Sequence, residues 1–198
     1  MRIDSLYKMR PKKVLCLLLL LILTSFTLAE TRVLITYDTV DDHTGQIARW
    51  IAEGVESEPD TKLCVKRVQD TTHKDLLWAD AIIVGSPVYN AGLTADVGTF
   101  LAEWPFDDSP LKNRVGAAFV SSQGATAGSE NTIFDILKTM MLFRMIVVGG
   151  EDWRSGFGVA YIVDSANEET LGFLEAQAKS LGVRCCRVAA ATRKLRDR

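Results

Sequence analysis

Cysteine is scarce in this chain of 198 residues, with four in all, and one of them, Cys16, lies in an apolar N-terminal run. The other three, Cys64, Cys185 and Cys186, form an odd set without framework spacing, which excludes a disulfide-stapled scaffold. No Cys-x-x-Cys pair or Cys/His cluster is present, so no metal site is expected. Histidine is scarcer still. His43 and His73 are the only two, and neither completes a Ser/His/Asp or Cys/His arrangement, so no side chain is assigned as a catalytic group. Proline and glycine do not cluster into a linker, and no repeat or low-complexity stretch follows residue 29, which leaves one domain.

Positive charge is also in short supply once the first 29 residues are set apart. That segment holds Arg2, Lys8, Arg10, Lys12 and Lys13, then an uncharged run from Val14 to Ala29 with a leucine core at Leu17–Leu21. A basic region, a short apolar run and small residues at Thr27 and Ala29 read as a signal peptide cleaved after Ala29. The run has 16 residues, whereas a membrane span needs about 20. An uncleaved anchor through residues 14–29 is the alternative, and either delivers the domain 30–198 across a membrane, into the secretory pathway or out of the cell. Without the leader, basic residues fall from 23 to 18 and acids from 25 to 24, taking the formal charge from −2 to −6. An acidic domain excludes nucleic acid and an anionic membrane surface as expected partners. The basic tail Arg193, Lys194, Arg196 and Arg198 reads as a solvated helix end.

What is present is a regular alternation of strands and helices. Apolar runs predict strands at 32–37, 63–68, 81–84, 115–120 and 145–148. Helical spacing marks the stretches between them. Ile47, Trp50, Ile51 and Val55 share one face, as do Ile133, Ile136, Leu137, Met140 and Met141. Val97, Phe100, Leu101 and Trp104 mark a helix ending at Pro105, 73–78 a short one, and 168–194 a last one with a break expected near Gly182. β first and α last, with right-handed crossovers, predicts a doubly wound parallel sheet in a three-layer αβα sandwich. In a helix, Cys185 and Cys186 point about 100° apart and cannot pair.

In such a sheet, ligands bind beside the carboxyl ends of the strands. Three loops leave those ends. Thr39-Val40-Asp41-Asp42-His43-Thr44 opens a helix, where free N–H groups and hydroxyls suit a phosphate. Gly85-Ser86-Pro87-Val88-Tyr89-Asn90-Ala91-Gly92 has small residues for close approach and a planar side chain in Tyr89. Ser121-Ser122-Gln123-Gly124-Ala125-Thr126-Ala127-Gly128-Ser129 is rich in glycine and hydroxyls.

The first loop resembles the flavodoxin phosphate turn, Ser/Thr-x-Thr-Gly-Asn-Thr. Thr39 and Thr44 match it, and Asp41 and Asp42 replace Thr and Gly. The second resembles the isoalloxazine loop of flavodoxin-like NAD(P)H:quinone oxidoreductases of WrbA type and related FMN reductases, and the third resembles their loop along the flavin and ribityl chain. Ser155-Gly156-Phe157-Gly158-Val159-Ala160 is similar to a Pro-Tyr-Gly-Ala-type loop, and LGVRCCRVA (181–189) to LGxRVAEVA. The resemblance covers 32–188 and implies a flavodoxin-like sheet of five strands in the order 2-1-3-4-5.

It implies FMN as cofactor, with NAD(P)H as reductant, held by Thr39, His43, Thr44, Pro87, Val88, Tyr89, Asn90, Ala91, Gly92, Ser121, Ser122, Gln123, Gly124 and Gly128. The implied activity is two-electron reduction of quinones or related acceptors through flavin N5, with Tyr89, Phe157 and Trp104 as walls of the acceptor pocket. The longer insertions that build the WrbA tetramer are shortened here, which leaves the homo-oligomer open. Two alternatives stand beside this reading. One is a flavodoxin-type electron carrier. The other is a non-catalytic module that has lost FMN, motivated by Asp41 and Asp42. A carboxylate about 5 Å from a phosphate charge opposes it by about 3 kcal/mol at an effective dielectric near 20.

Overall fold

Strand-length apolar runs become the centre of the molecule. In the computed structural model, which describes residues 30–196, the strands are β1 (Thr31–Tyr37), β2 (Thr61–Arg67), β3 (Ala81–Pro87), β4 (Val115–Ser122), β5 (Ile146–Val147) and β6 (Val159–Ile162). All pair in parallel, in the order β2-β1-β3-β4-β5. β3 and β4 have no fully exposed position, as expected of strands covered on both faces. The segment read as a leader lies outside the described residues. Among the described residues, no helix is long and apolar enough to cross a membrane.

The fifth position differs from expectation. β5 pairs with the start of β4, at Val115 and Gly116, while β6 pairs with its end, from Phe119 to Ser122. One edge strand is thus split by the loop 148–158. Val159 and Ala160, expected in a loop, are therefore strand residues.

Helices α1 (His43–Glu56) and α5 (Glu168–Arg196) cover one face. Helices α2 (His73–Trp78), α3 (Ala95–Ala102) and α4 (Ser129–Leu142) cover the other. The periodicities explain the choice: Ile47, Ile51 and Val55 of α1 meet Leu174, Ala178, Leu181 and Cys185 of α5 over Val33, Ile35 and Ile83. α5 runs unbroken through Gly182, and the expected break is absent. There α5 lies against α1 so closely that a Cβ on Gly182 would fall inside contact of Ile51 O and 3.1 Å from Val55 N. Gly54 of α1 meets the backbone of Lys179 in the same way. The glycine is a contact surface rather than a break.

Cys185 and Cys186 are buried and free. Burial pushes the Cys186 thiol up to about 12 and the Cys185 thiol higher still. Desolvation also raises the half-buried Cys64 thiol. Only thiolates react with disulfide reagents. In the native protein near pH 8, Cys64 is therefore expected to be the sole reactive thiol of the three, and a slow one. Colorimetric thiol titration before and after guanidinium addition checks this. Fast reaction of Cys185 or Cys186 in the native state would contradict their burial.

Candidate functional site

The first loop begins where β1 ends. Asp38 is buried, accepts the Thr39 N–H at 2.8 Å, and pairs with Arg67 from the end of neighbouring β2 at 2.7 Å. Arg67 also donates to Thr39 O at 3.0 Å and lies over the Tyr37 ring, 5.5 Å from its centroid. Burial alone would raise the Asp38 carboxyl. Hydrogen bonds from Thr94, Arg67 and the Thr39 N–H outweigh that and hold it below its ordinary value.

Asp42 occupies the glycine position of the resembled motif, and its backbone shows why the exchange is tolerated. It has φ 61° and ψ 4°, the left-handed region that the motif's glycine serves and that Asp enters more readily than most residues. Its carboxylate turns away to Arg49 at 2.9 Å, with the two side chains 63% and 51% exposed. The hydrogen bond from Arg49 keeps that carboxyl below its ordinary value. Asp42 therefore presents no uncompensated charge to the site. No side chain caps α1, so its first N–H groups have no side-chain acceptor.

The second loop closes as a tight hairpin. Tyr89 and Gly92 exchange backbone hydrogen bonds of 2.9 and 3.0 Å, and Asn90 and Ala91 between them have φ of 49° and 64°. Two positive φ values between paired residues make a type I′ turn. It leaves Tyr89, at the base of the turn, 61% exposed. Val88 N–H donates to Ser121 O at 2.7 Å, fastening this loop to the third.

The third loop is held by hydroxyls. Thr44 Oγ1 and Ser121 Oγ lie 2.7 Å apart and buried, joining the first loop to the third. Ser122 Oγ meets Ser129 Oγ at 2.7 Å. Gly128, with φ 105°, packs on the Ala91 backbone. The Gln123 side chain donates to Asp164, just beyond β6.

Together the loops enclose an open cleft of about 200 Å³ at the carboxyl edge. Of the residues expected to hold the cofactor, Thr39, His43, Pro87, Val88, Tyr89, Ser121, Ser122 and Gln123 line it. Thr44, Asn90, Ala91, Gly92, Gly124 and Gly128 belong to the same loops but do not line it. Val40, Asp41 and Val163 also line it. The first two flank named positions in the same loop. Val163 follows β6, a strand that sequence periodicity did not show.

Two expected walls are elsewhere. α3 runs back along the sheet, so Trp104, just past its end, reaches the opposite edge. There it is buried against Phe100 and Phe143, with ring centroids 5.8 and 5.5 Å away. Phe157 precedes β6 and stacks on Phe134 of α4 at 4.7 Å. Of the three aromatics only Tyr89 lines the cleft. Tyr161 of β6 instead meets the His43 ring edge-on at 5.2 Å, a contact that required knowing where β6 pairs.

FMN fits this edge by one specific test. Thr39 Oγ1 is buried, lines the cleft, and has no hydrogen-bond partner within the protein. Buried hydroxyls are seldom left so, and a polar ligand would satisfy it. The exposed Tyr89, Pro87 and Val88 give the lining its apolar part, and Thr39, Ser121 and Ser122 give it hydroxyls.

The chain is 34% identical over 128 residues to a flavodoxin of Aquifex aeolicus, covering 62% of this chain and 66% of that one. It is 31% identical over 140 residues to an NAD(P)H dehydrogenase (quinone) of Azorhizobium caulinodans, covering 60% and 70%. The chain thus spans about two thirds of the length of these relatives. Among solved structures, an archaeal flavodoxin superposes with TM-score 0.66 at 20% identity, over 80% of this chain and 99% of that one. A WrbA-like protein from Agrobacterium tumefaciens superposes with TM-score 0.65 at 20% identity, over 82% and 99%. These two show the fold. Residues 57–159, which carry the second and third loops, match the model of the NADPH-dependent FMN reductases; the chain belongs to that family, whose chemistry uses FMN with NAD(P)H as reductant.

Proposed function

We propose that this chain is an FMN-dependent NAD(P)H oxidoreductase whose acceptor is a quinone or a similar flat molecule. The observation that carries this is the cleft where all three loops meet, lined by the exposed Tyr89 and by Thr39, whose buried hydroxyl has no partner within the protein. Bound FMN would supply the two-electron hydride chemistry between NAD(P)H and the acceptor.

The chain's own residues bind, orient and leave access. Tyr89, Pro87 and Val88 would hold the flavin ring by apolar contact. Thr39, Ser122 and Gln123 offer hydrogen bonds to the sugar-like chain. The uncapped start of α1, beside His43, would hold the phosphate. The cleft stays open on one side, as a second flat substrate requires. No side chain is asked to transfer a proton.

The flavodoxin similarity favours the electron carrier as second reading, since the same cleft serves both. The module without flavin loses half its motive, because Asp42 pairs with Arg49 outside the cleft. Titration of the purified protein with FMN, followed by flavin fluorescence quenching and then by NADPH addition, tests all three. Quenching at micromolar FMN and bleaching on NADPH addition support the oxidoreductase. Quenching without bleaching favours the carrier, and no quenching sinks both.

Tyr89→Ala is expected to weaken FMN about tenfold or more, since aromatic stacking on a ring of this kind contributes about 1–3 kcal/mol. Circular dichroism should remain unchanged, because the side chain is exposed. Unaltered affinity would place the ring elsewhere. We also propose that residues 1–29 carry the domain across a membrane. N-terminal sequencing of the protein from its native source checks this, and a chain beginning at Met1 in the cytosol would refute it.

A further inference from the structure

We infer that Arg49 is the cation that holds the flavin phosphate, and that this side chain makes the site select FMN over riboflavin, the flavin without its phosphate. The inference rests on the flavin-binding reading above and assigns to that site a residue that lies outside the resembled motif.

The turn Ser/Thr-x-Thr-Gly-Asn-Thr names no cation. Here Asp41 and Asp42 put two carboxylates at positions that the motif leaves uncharged. Its last hydroxyl is engaged as well, since Thr44 Oγ1 faces Ser121 Oγ at 2.7 Å. The first N–H groups of α1 attract an anion, but a phosphate beside two carboxylates also needs a positive charge that the turn itself does not contain.

Arg49 is placed to supply it. A second cavity, of about 360 Å³, opens beside the first turn of α1, and its lining includes Asp41, Asp42, His43, Gln46 and Arg49. Asp41 and His43 also line the flavin cleft, so the two cavities meet at the phosphate end. Arg49 is the one lysine or arginine in either lining. It reaches back along the helix, where one terminal nitrogen donates to Asp42 at 2.9 Å and to Gln46 at 2.8 Å. The other approaches Asp42 at only 3.4 Å.

A guanidinium carries five N–H donors in a planar fork, so these contacts leave Arg49 with donors to spare. Its pair with Asp42 is a surface one, with the side chains 51% and 63% exposed, and such pairs are held loosely. One fork can therefore keep the Asp42 carboxylate and also meet a phosphate. Arg67, the other cation near this turn, faces inward instead. It is bound to Asp38 at 2.7 Å and to Thr39 O at 3.0 Å, and its unpartnered Nε is buried.

Loss of Arg49 could weaken FMN in two ways, by removing an attraction or by leaving the Asp42 charge uncompensated. Asparagine at 42 separates them, because it removes the charge and still enters the left-handed region readily. The experiment is a fluorescence titration of the whole protein with FMN and with riboflavin, comparing the unaltered chain, Arg49→Gln, Asp42→Asn and the double variant. Arg49→Gln is expected to weaken FMN about tenfold or more and riboflavin less than about twofold, since a charge-assisted bond to phosphate is lost. Within the Asp42→Asn protein, the same exchange should still weaken FMN about fivefold or more.

An Arg49→Gln protein with the original FMN affinity would overturn the inference, and so would an equal loss of FMN and riboflavin. An exchange without effect in the Asp42→Asn protein would also overturn it, since Arg49 would then be no more than the counter-ion of Asp42. Each of these results leaves the oxidoreductase reading intact. Failure of both flavins to bind the unaltered protein would overturn the inference together with the reading beneath it.

Discussion

Gly172→Ala and Gly182→Ala, the same exchange ten residues apart in α5, are expected to shift stability in opposite directions. Both lie inside a helix, where glycine is about 1 kcal/mol less favourable than alanine. At Gly172 a new Cβ meets open space, so the full propensity gain of up to about 1 kcal/mol is realised. At Gly182 the new Cβ falls inside contact of Ile51 O and lies 3.1 Å from Val55 N. Both neighbours are backbone within α1 and cannot rotate away.

Overpacking of this kind costs about 1–3 kcal/mol and more where backbone must shift. The net loss for Gly182→Ala is expected at about 2 kcal/mol, and for Gly182→Val at about 4 kcal/mol. Gly54→Ala meets the Lys179 backbone across the same seam. Once one variant has pushed the helices apart, the other has less to add. The double variant should therefore cost less than the sum of the singles. Guanidinium unfolding of the four proteins decides it. A stabilised Gly182→Ala would mean that the helices are further apart than described.

Asp80→Ala should cost about 3 kcal/mol, close to the limit for a single substitution outside the hydrophobic core. Asp80 is 4% exposed and takes three partners at the amino edge of the sheet. It pairs with Arg32 at 3.2 Å and Arg196 at 3.3 Å, and accepts the Arg32 backbone N–H at 2.9 Å. Arg114, itself largely desolvated, lies within its field and donates to Ala79 O and Leu77 O.

Removing the carboxylate takes the shared anion from the cluster of Arg32, Arg114 and Arg196, and with it the side-chain partner of Arg32. Breaking a buried pair by deleting one partner costs about 3–5 kcal/mol, and the lower figure applies here because Arg32 is 41% exposed. In a domain of this size that corresponds to a fall in Tm of about 6–12 °C. A calorimetric or circular-dichroism melt reads it. A shift under about 2 °C would show that the arginines reach solvent once freed. Flavin affinity should be unaffected at temperatures where the variant is folded, since this cluster lies at the far end of the strands from the cleft.

The site loops were legible in sequence because each is one contiguous stretch between a strand and a helix. Pro87, Val88 and Tyr89, or Ser121, Ser122 and Gln123, need no partner to be recognised as loop residues at a carboxyl edge. The aromatic walls were not legible. Trp104 and Phe157 were placed by residue type, but where a ring ends up depends on which way its helix runs and which strand it precedes. Gly182 was misread for the same reason. Its neighbours along the chain suggest an interruption, and the α1 backbone that makes it necessary is more than 120 residues away in sequence.

By itself the sequence determined the alternation of strands and helices, the three-layer sandwich that right-handed crossovers favour, and the loops that carry the chemistry, whose family resemblance implied the strand order. Each of these depends on local periodicity or on a motif read along the chain. Tertiary structure alone decided that the fifth strand position is divided between β5 and β6, that Trp104 and Phe157 lie away from the cleft while Tyr161 meets His43, and that Asp42 is neutralised while Asp41 is not. These outcomes depend on register, on the left-handed turn at Asp42, and on side chains from distant segments meeting in space, none of which one-dimensional spacing encodes.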